Sequence, residues 1–161
     1  MKMNTMRLML ALVTVAITSA ATTSSERSLA SGQKSSGASE LSGTSWQLVT
    51  LNAADDTTLV PDDRSKYTIT FGRDGRVTVR VDCNRGSSTW RSTKTGELQF
   101  GSWSRTTGKC PAGSLHDKIV TEGAAVRAYV IKDGHLFLSG MAAGGSYELE
   151  PMTIQKRKRA R

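Results

Sequence analysis

Tyr67-Thr68-Ile69-Thr70-Phe71-Gly72-Arg73-Asp74-Gly75-Arg76-Val77-Thr78-Val79-Arg80-Val81 is the stretch that decides the fold. Tyr67, Ile69 and Phe71 alternate with Thr68 and Thr70, and Val77, Val79 and Val81 alternate with Arg76, Thr78 and Arg80. Period two built from β-branched and aromatic residues is the mark of a strand with one buried face. Gly72-Arg73-Asp74-Gly75 between the two runs is a turn, with Gly75 free to take positive φ. The stretch is therefore an antiparallel hairpin, and Asp82-Cys83-Asn84-Arg85 follows it at once.

Working outward, the same pattern recurs. Trp46, Leu48 and Thr50 alternate with Gln47, Val49 and Leu51 and predict an earlier strand. Thr89-Trp90-Arg91, Glu97 to Phe100 and Trp103 to Thr106 predict short strands after the hairpin. A helix is predicted from Ser114, whose hydroxyl can accept from first-turn amides. Leu115, Ile119 and Val126 form its apolar face, and Gly123 weakens its middle. Tyr129 to Ile131, the turn Lys132-Asp133-Gly134 and His135 to Leu138 predict a second hairpin, and Ser146 to Glu150 a last strand. Strands, one helix, then strands give an α+β, mostly antiparallel β fold: a small curved sheet or incomplete β-barrel with one helix.

The ends of the chain read differently. Lys2 and Arg7 precede the uncharged run Leu8 to Ala20, which small residues close. This is the pattern of a secretory signal over 1–21, cut after Ala20 or Ala21, and it is well short of the roughly 20 apolar residues of a membrane-spanning helix. No cysteine lies near the cut, so a lipid anchor on the mature N-terminus is not expected, nor is a transmembrane helix. Residues 22–40 are Ser, Ala, Thr and Gly with scattered charge and no hydrophobic period, a disordered spacer. One domain occupies 41–152. The tail 153–161 carries Lys156, Arg157, Lys158, Arg159 and Arg161 and no acid.

Charge follows that division. The net charge is +8, but leader and tail supply most of it, and between Leu41 and Pro151 acids and bases nearly balance. The domain thus gives no reason to expect a nucleic-acid partner. In an exported chain the tail would meet an anionic membrane or polysaccharide surface. Export also exposes the two cysteines, Cys83 and Cys110, to oxidising conditions. One disulfide is the only intramolecular pairing open to them. Closing a loop of about 27 residues would remove denatured-state entropy worth about 3.5 kcal/mol.

Constellations for chemistry are few. Cys110 with His116 could form a nucleophile and base, the basis of an alternative reading as a thiol-dependent hydrolase. No C-x-x-C or H-x-x-x-H spacing supports zinc. Asp55-Asp56 and Asp62-Asp63 flank Val60-Pro61 but lack the alternating spacing of a calcium loop. Gly101 to Lys109 fails as a phosphate loop, because Cys110 stands where Ser or Thr would bind magnesium. Trp46, Trp90 and Trp103 read as core residues. No cofactor, metal or catalytic residue is expected.

Gly43-Thr44-Ser45-Trp46, the Phe71 to Gly75 turn, Asp82-Cys83-Asn84-Arg85, Arg105 to Cys110-Pro111, the helix from Ser114, Tyr129-Val130-Ile131 and Leu136-Phe137-Leu138 occur in the order of one family. From about Leu41 to Pro151 the chain resembles the META domain family, of the heat-shock HslJ-like kind. The resemblance makes Asp82, Cys83, Asn84, Arg85, Cys110 and Pro111 the family motif. It implies a small β-rich half-barrel with a helix, an envelope or secreted location, and links to heat shock, motility or antibiotic tolerance. It carries no catalytic residue. The reading is an exported, periplasmic or secreted, non-enzymatic monomer with a binding or envelope-maintenance role, holding a protein segment or an acyl chain.

Overall fold

The structure is a computed structural model that describes residues 40–140 and 145–152. The expected leader, all of the spacer but Glu40, and the tail lie outside the described residues. The elements in chain order are β1 (Thr44–Asn52), β2 (Thr58–Leu59), a 3-10 turn (Arg64–Lys66), β3 (Tyr67–Phe71), β4 (Arg76–Val81), β5 (Asn84–Arg91), β6 (Gln99–Phe100), β7 (Ser104–Arg105), α1 (His116–Gly123), β8 (Val126–Lys132), β9 (His135–Gly140) and β10 (Ser146–Pro151). Strand order is β6-β5-β4-β3-β1-β10-β9-β8, with β2 added to β1 and β7 to β5. Each pairing is antiparallel.

The two ends of this sheet meet. Glu97, just before β6, stands opposite Ala128 of β8 in an isolated antiparallel bridge. Leu98 N donates to Arg127 O and Tyr129 N to Gly96 O, both at 2.9 Å. The product is a nearly closed barrel with a short seam, crossed by one helix, in agreement with the curved sheet expected.

Apolar alternation sets which faces turn inward. Tyr67, Ile69 and Phe71 of β3 are buried, as are Val77 of β4 and Leu136 and Leu138 of β9. One strand departs from simple alternation. The β1–β10 register shifts between Leu48 and Thr50, so an extra residue re-phases β1. Trp46 and Leu48 point inward as expected, but the next inward residue is Leu51, fully buried, not Thr50. Thr50 instead donates through Oγ1 to Glu148 Oε2 at 3.0 Å. The bulge puts a leucine in the core and a hydroxyl beside a carboxylate.

Two further expectations are corrected. β5 begins at Asn84, directly after the cysteine, so the strand around Trp90 is longer than the sequence suggested. The helix stops at Gly123, and Val126 opens β8 and pairs with Gly140. Gly123 is thus its last residue rather than its middle, which suits a residue that destabilises a helix interior. Ser114 Oγ accepts from His116 N at 3.1 Å, although Leu115 is the formal cap.

Candidate functional site

The barrel has two unlike ends. At one, Leu41, Phe71, Val77, Trp90, Leu98 and Tyr129 fill the interior, each 7% exposed or less. Phe71 meets Trp90 edge to face with ring centroids 5.2 Å apart, a favoured aromatic geometry. The polar atoms there are satisfied. Trp90 Nε1 donates to Gly72 O at 3.1 Å, and Tyr129 Oη donates to Glu40 Oε2 at 2.7 Å. Thr44 Oγ1 donates to Leu41 O and accepts from Trp46 Nε1.

At the other end the strands and α1 border a half-open cavity of about 170 Å³. Leu48, Ile69, Val79, Val81, Leu138, Tyr147 and Leu149 supply its sheet wall. Ile119, Val120 and Gly123 of α1 supply the opposite side, with Phe100 and Trp103 beside them. Gly86 leaves room for the Val79 side chain, since a Cβ there would sit 3.0 Å from Val79 Cγ2. The polar lining consists of Thr68, Arg80, Asn84, Arg85, Arg105, His116 and the tyrosine hydroxyls, with no carboxylate among them.

Helix α1 is held as a cover rather than as a core element, for none of its eight residues is fully buried. Tyr67 Oη accepts from Leu115 N at 3.1 Å just before its start. Lys118 binds Asp55 Oδ2 at 2.8 Å and Glu122 Oε1 at 3.4 Å. The Lys118 ammonium, with Thr57 bonds behind it, lowers the Asp55 carboxyl to about 2. Asp55 thus anchors the helix, while Asp62 pairs with Lys66 and Asp63 Oδ1 accepts from Ser65 N.

Two buried polar groups near this cover stand out. The Tyr147 hydroxyl and Glu122 Oε2 have no hydrogen-bond partner among the described residues. Tyr147 is 6% exposed and lines the cavity, and the Glu122 side chain is 9% exposed. Burial, and then the Glu122 charge, push the Tyr147 phenol well above its ordinary range. An unmade bond on a buried hydroxyl costs about 1–3 kcal/mol. Sequence reasoning placed Tyr147 in a strand but had no signal for its missing partner.

The family motif does something different. Asp82 and Cys83 form the two-residue turn between β4 and β5, with Asp82 at φ 55°. Cys83 and Cys110 are joined in a disulfide with Cα atoms 5.5 Å apart, which agrees with the pairing expected. Beside it, Asn84 is 3% exposed and fully bonded. Its Nδ2 donates to Gly108 O, and its Oδ1 accepts from Thr106 Oγ1 and from Gly108 N, each at 2.8 Å. Arg85 donates to the carbonyls of Asp82 and Asn84. Pro111 lies next to Cys110, and its carbonyl accepts from Ser114 N at 3.2 Å on the way into α1. The motif is a clamp that fixes the 106–110 loop against the hairpin tip.

The thiol-hydrolase alternative fails on this bond, since Cys110 has no thiol to offer. His116 Nδ1 sits 2.8 Å from Asp117 Oδ1. Lys156, Arg157, Lys158, Arg159 and Arg161 lie outside the described residues.

The chain matches the model of the META domain over residues 39–153. No curated protein matches the sequence. Among solved structures it is similar to a protein from Burkholderia xenovorans determined by NMR, with TM-score 0.59 and 19% identity over 73% of this chain and 87% of that one. It is also similar to a DUF4847 family protein from Bacteroides vulgatus, with TM-score 0.50 and 13% identity over 70% of this chain and 95% of that one. At these identities the two structures speak to the fold alone.

Proposed function

The chain belongs to the META domain family, and on that premise we propose that it is a non-enzymatic binding domain of the cell envelope whose barrel interior receives the end of an acyl chain. The observation that carries this reading is the cavity beneath α1, walled by aliphatic and aromatic side chains. An apolar cavity of about 150 Å³ accepts a benzene-sized molecule, so a space of this size takes a short hydrocarbon segment. The unpartnered Tyr147 hydroxyl adds a preference. A chain with one hydrogen-bonding oxygen near its inserted end satisfies that hydroxyl, whereas plain hydrocarbon leaves it unmade. The shallow attachment of α1 provides a way in, since none of its residues is fully buried and its tie to Asp55 is an exposed ion pair.

An envelope setting is supported by the leader-like start of the sequence and by the Cys83–Cys110 disulfide, a bond that persists in oxidising compartments. A stress-related role is the family's contribution to the reading.

The test is a titration of the full chain with a fluorescent acyl probe, competed by short fatty acids. Binding is expected for the wild type and is expected to be lost in Ile119→Trp, which fills the cavity from the partly exposed helix. Equal binding by both proteins overturns the reading. Competition by apolar peptides but not by fatty acids would replace the acyl chain with a protein segment.

A further inference from the structure

The outward face of the sheet carries a second surface, which meets the rim of the cavity at Thr68, Arg80, Arg85 and Arg105. Register places Ser45 beside Thr70, Thr70 beside Thr78, Thr78 beside Ser87, and Ser87 beside Ser104. Five neighbouring strands thus contribute one continuous row of hydroxyls, of which Ser45 and Thr70 lie 2.9 Å apart. One pleat along, Thr68, Arg80 and Arg85 form a parallel row. A shallow depression runs over these residues from Thr70 to Ser104, beyond Ser45, and no acid lines it. Arg105, which follows Ser104 and pairs with Gly86 on the other face of the strand, reaches the same depression from the short edge strand β7.

The charges on this face are not neutralised. Arg80 donates to the carbonyls of Asp82 and Ser65, and Arg85 to those of Asp82 and Asn84. Arg105 has no hydrogen bond from its side chain among the described residues. No described carboxylate comes within ion-pair distance of any of the three. Where charge is meant only to solubilise a sheet, both signs are interspersed; here one sign is set among hydroxyls.

We propose that this face binds an extended strand of an acidic polysaccharide, with the acidic groups on Arg80, Arg85 and Arg105 and the sugar hydroxyls on the Ser/Thr row. Guanidinium forks match carboxylate and phosphate oxygens in charge and geometry. Neighbouring strands lie about 4.8 Å apart, close to the length of one sugar residue, so successive hydroxyls can meet successive sugars. A membrane is the poorer fit, because interfacial surfaces insert apolar and aromatic side chains. Of the exposed large apolar residues Val60, Val130, Ile131, Phe137 and Met152, only Met152 touches this face. That residue brings a second observation. The described chain leaves the sheet at Met152, whose N donates to Ser45 O at 2.8 Å, and the basic run from Lys156 follows shortly in sequence. Face and tail carry charge of the same sign.

The test measures binding of the full chain to alginate, with neutral dextran and phosphatidylglycerol vesicles as the other arms. Alginate is expected to bind and dextran not. Arg80→Gln/Arg105→Gln, with the tail intact, is expected to weaken alginate binding about tenfold or more at an unchanged melting temperature. Arg105→Gln alone guards against a folding defect and is expected to weaken it several-fold. Thr78→Val/Ser87→Ala should weaken alginate binding while leaving vesicle binding unchanged. Unchanged alginate affinity in the arginine variants overturns the proposal. Loss of all binding on truncation after Met152 also overturns it, by assigning the contact to the tail. Vesicle binding with the same dependence on Arg80 and Arg105 overturns it in favour of a membrane.

Discussion

One end of this barrel is filled with side chains and the other holds a half-open cavity, although the same strands build both. Along β3, Phe71 belongs to the filled end and Ile69 to the cavity wall; along β4 the pair is Val77 and Val79. The polar groups divide the same way. At the filled end Trp90, Tyr129 and Thr44 have partners. At the other, Asn84 is fully bonded into the clamp while Tyr147 Oη has no partner. A buried polar side chain with every bond made belongs to the architecture. One left without a bond, on the wall of an apolar space, is where a ligand is to be sought.

The widest separation of the two ends should appear on truncation. Phe71→Ala is expected to cost about 3–5 kcal/mol, since it removes a fully buried ring and its edge contact with Trp90. Ile119→Ala, at the partly buried helix, should cost about 1 kcal/mol. Urea denaturation measures both, and equal costs would dissolve the distinction between the ends.

The clamp comes next. Cys83→Ser is expected to lower stability by about 2–5 kcal/mol, and Asn84→Ala by about 2–3 kcal/mol, because it strands Thr106 and Gly108. With the disulfide already reduced, Asn84→Ala should cost less, for both hold the same loop. A double-mutant cycle reads that coupling.

Tyr147→Phe should act in the opposite direction, raising stability by about 1 kcal/mol by deleting an unsatisfied hydroxyl. The raised phenol adds a pH signature. Its contribution is fully present below the unfolded tyrosine value near pH 10 and is lost as pH rises beyond it. The gap between wild type and Tyr147→Phe should therefore widen from pH 8 to pH 11.

Acid should reveal the smallest effect. Asp55 is lowered in the fold from 3.8 to about 2, so its tie to Lys118 stabilises above about pH 4 and is lost as pH falls toward 2. Both partners are exposed, so the change is slight. Asp55→Asn should show a shallower fall in melting temperature over that range, with most protection from amide exchange lost in α1.

The hairpins were readable because local chemistry and the buried face agree. Gly75 takes φ 77° in the first turn, and Asp133 and Gly134 take φ 53° and 81° in the second, the two-residue geometry that suits twisted strands. The first half of β5 was unreadable for a physical reason. Its outer residues, Arg85 and Ser87, belong to the basic hydroxyl face, and its inner ones, Asn84 and Gly86, serve the clamp and the close approach of Val79. No apolar alternation was left to see. The bulge at Val49 hid because either phase of β1 places apolar residues on both sides. The disulfide followed from cysteine count and the expectation of export. The cavity did not, because a gap between Ile119, Val79 and Tyr147 is a property of packing across distant segments.

The central claim is that the covered end of the barrel receives an apolar chain. The most direct measurement is an NMR titration of the full chain with 3-hydroxyoctanoate, with octane as the unfunctionalised control. Saturable shifts in the methyls of Ile119, Val79 and Leu138 and in the Tyr147 ring, tighter for the hydroxy acid than for octane and lost in Ile119→Trp, are the predicted result. Shifts confined to outward-facing residues, with those four unmoved, would contradict the account.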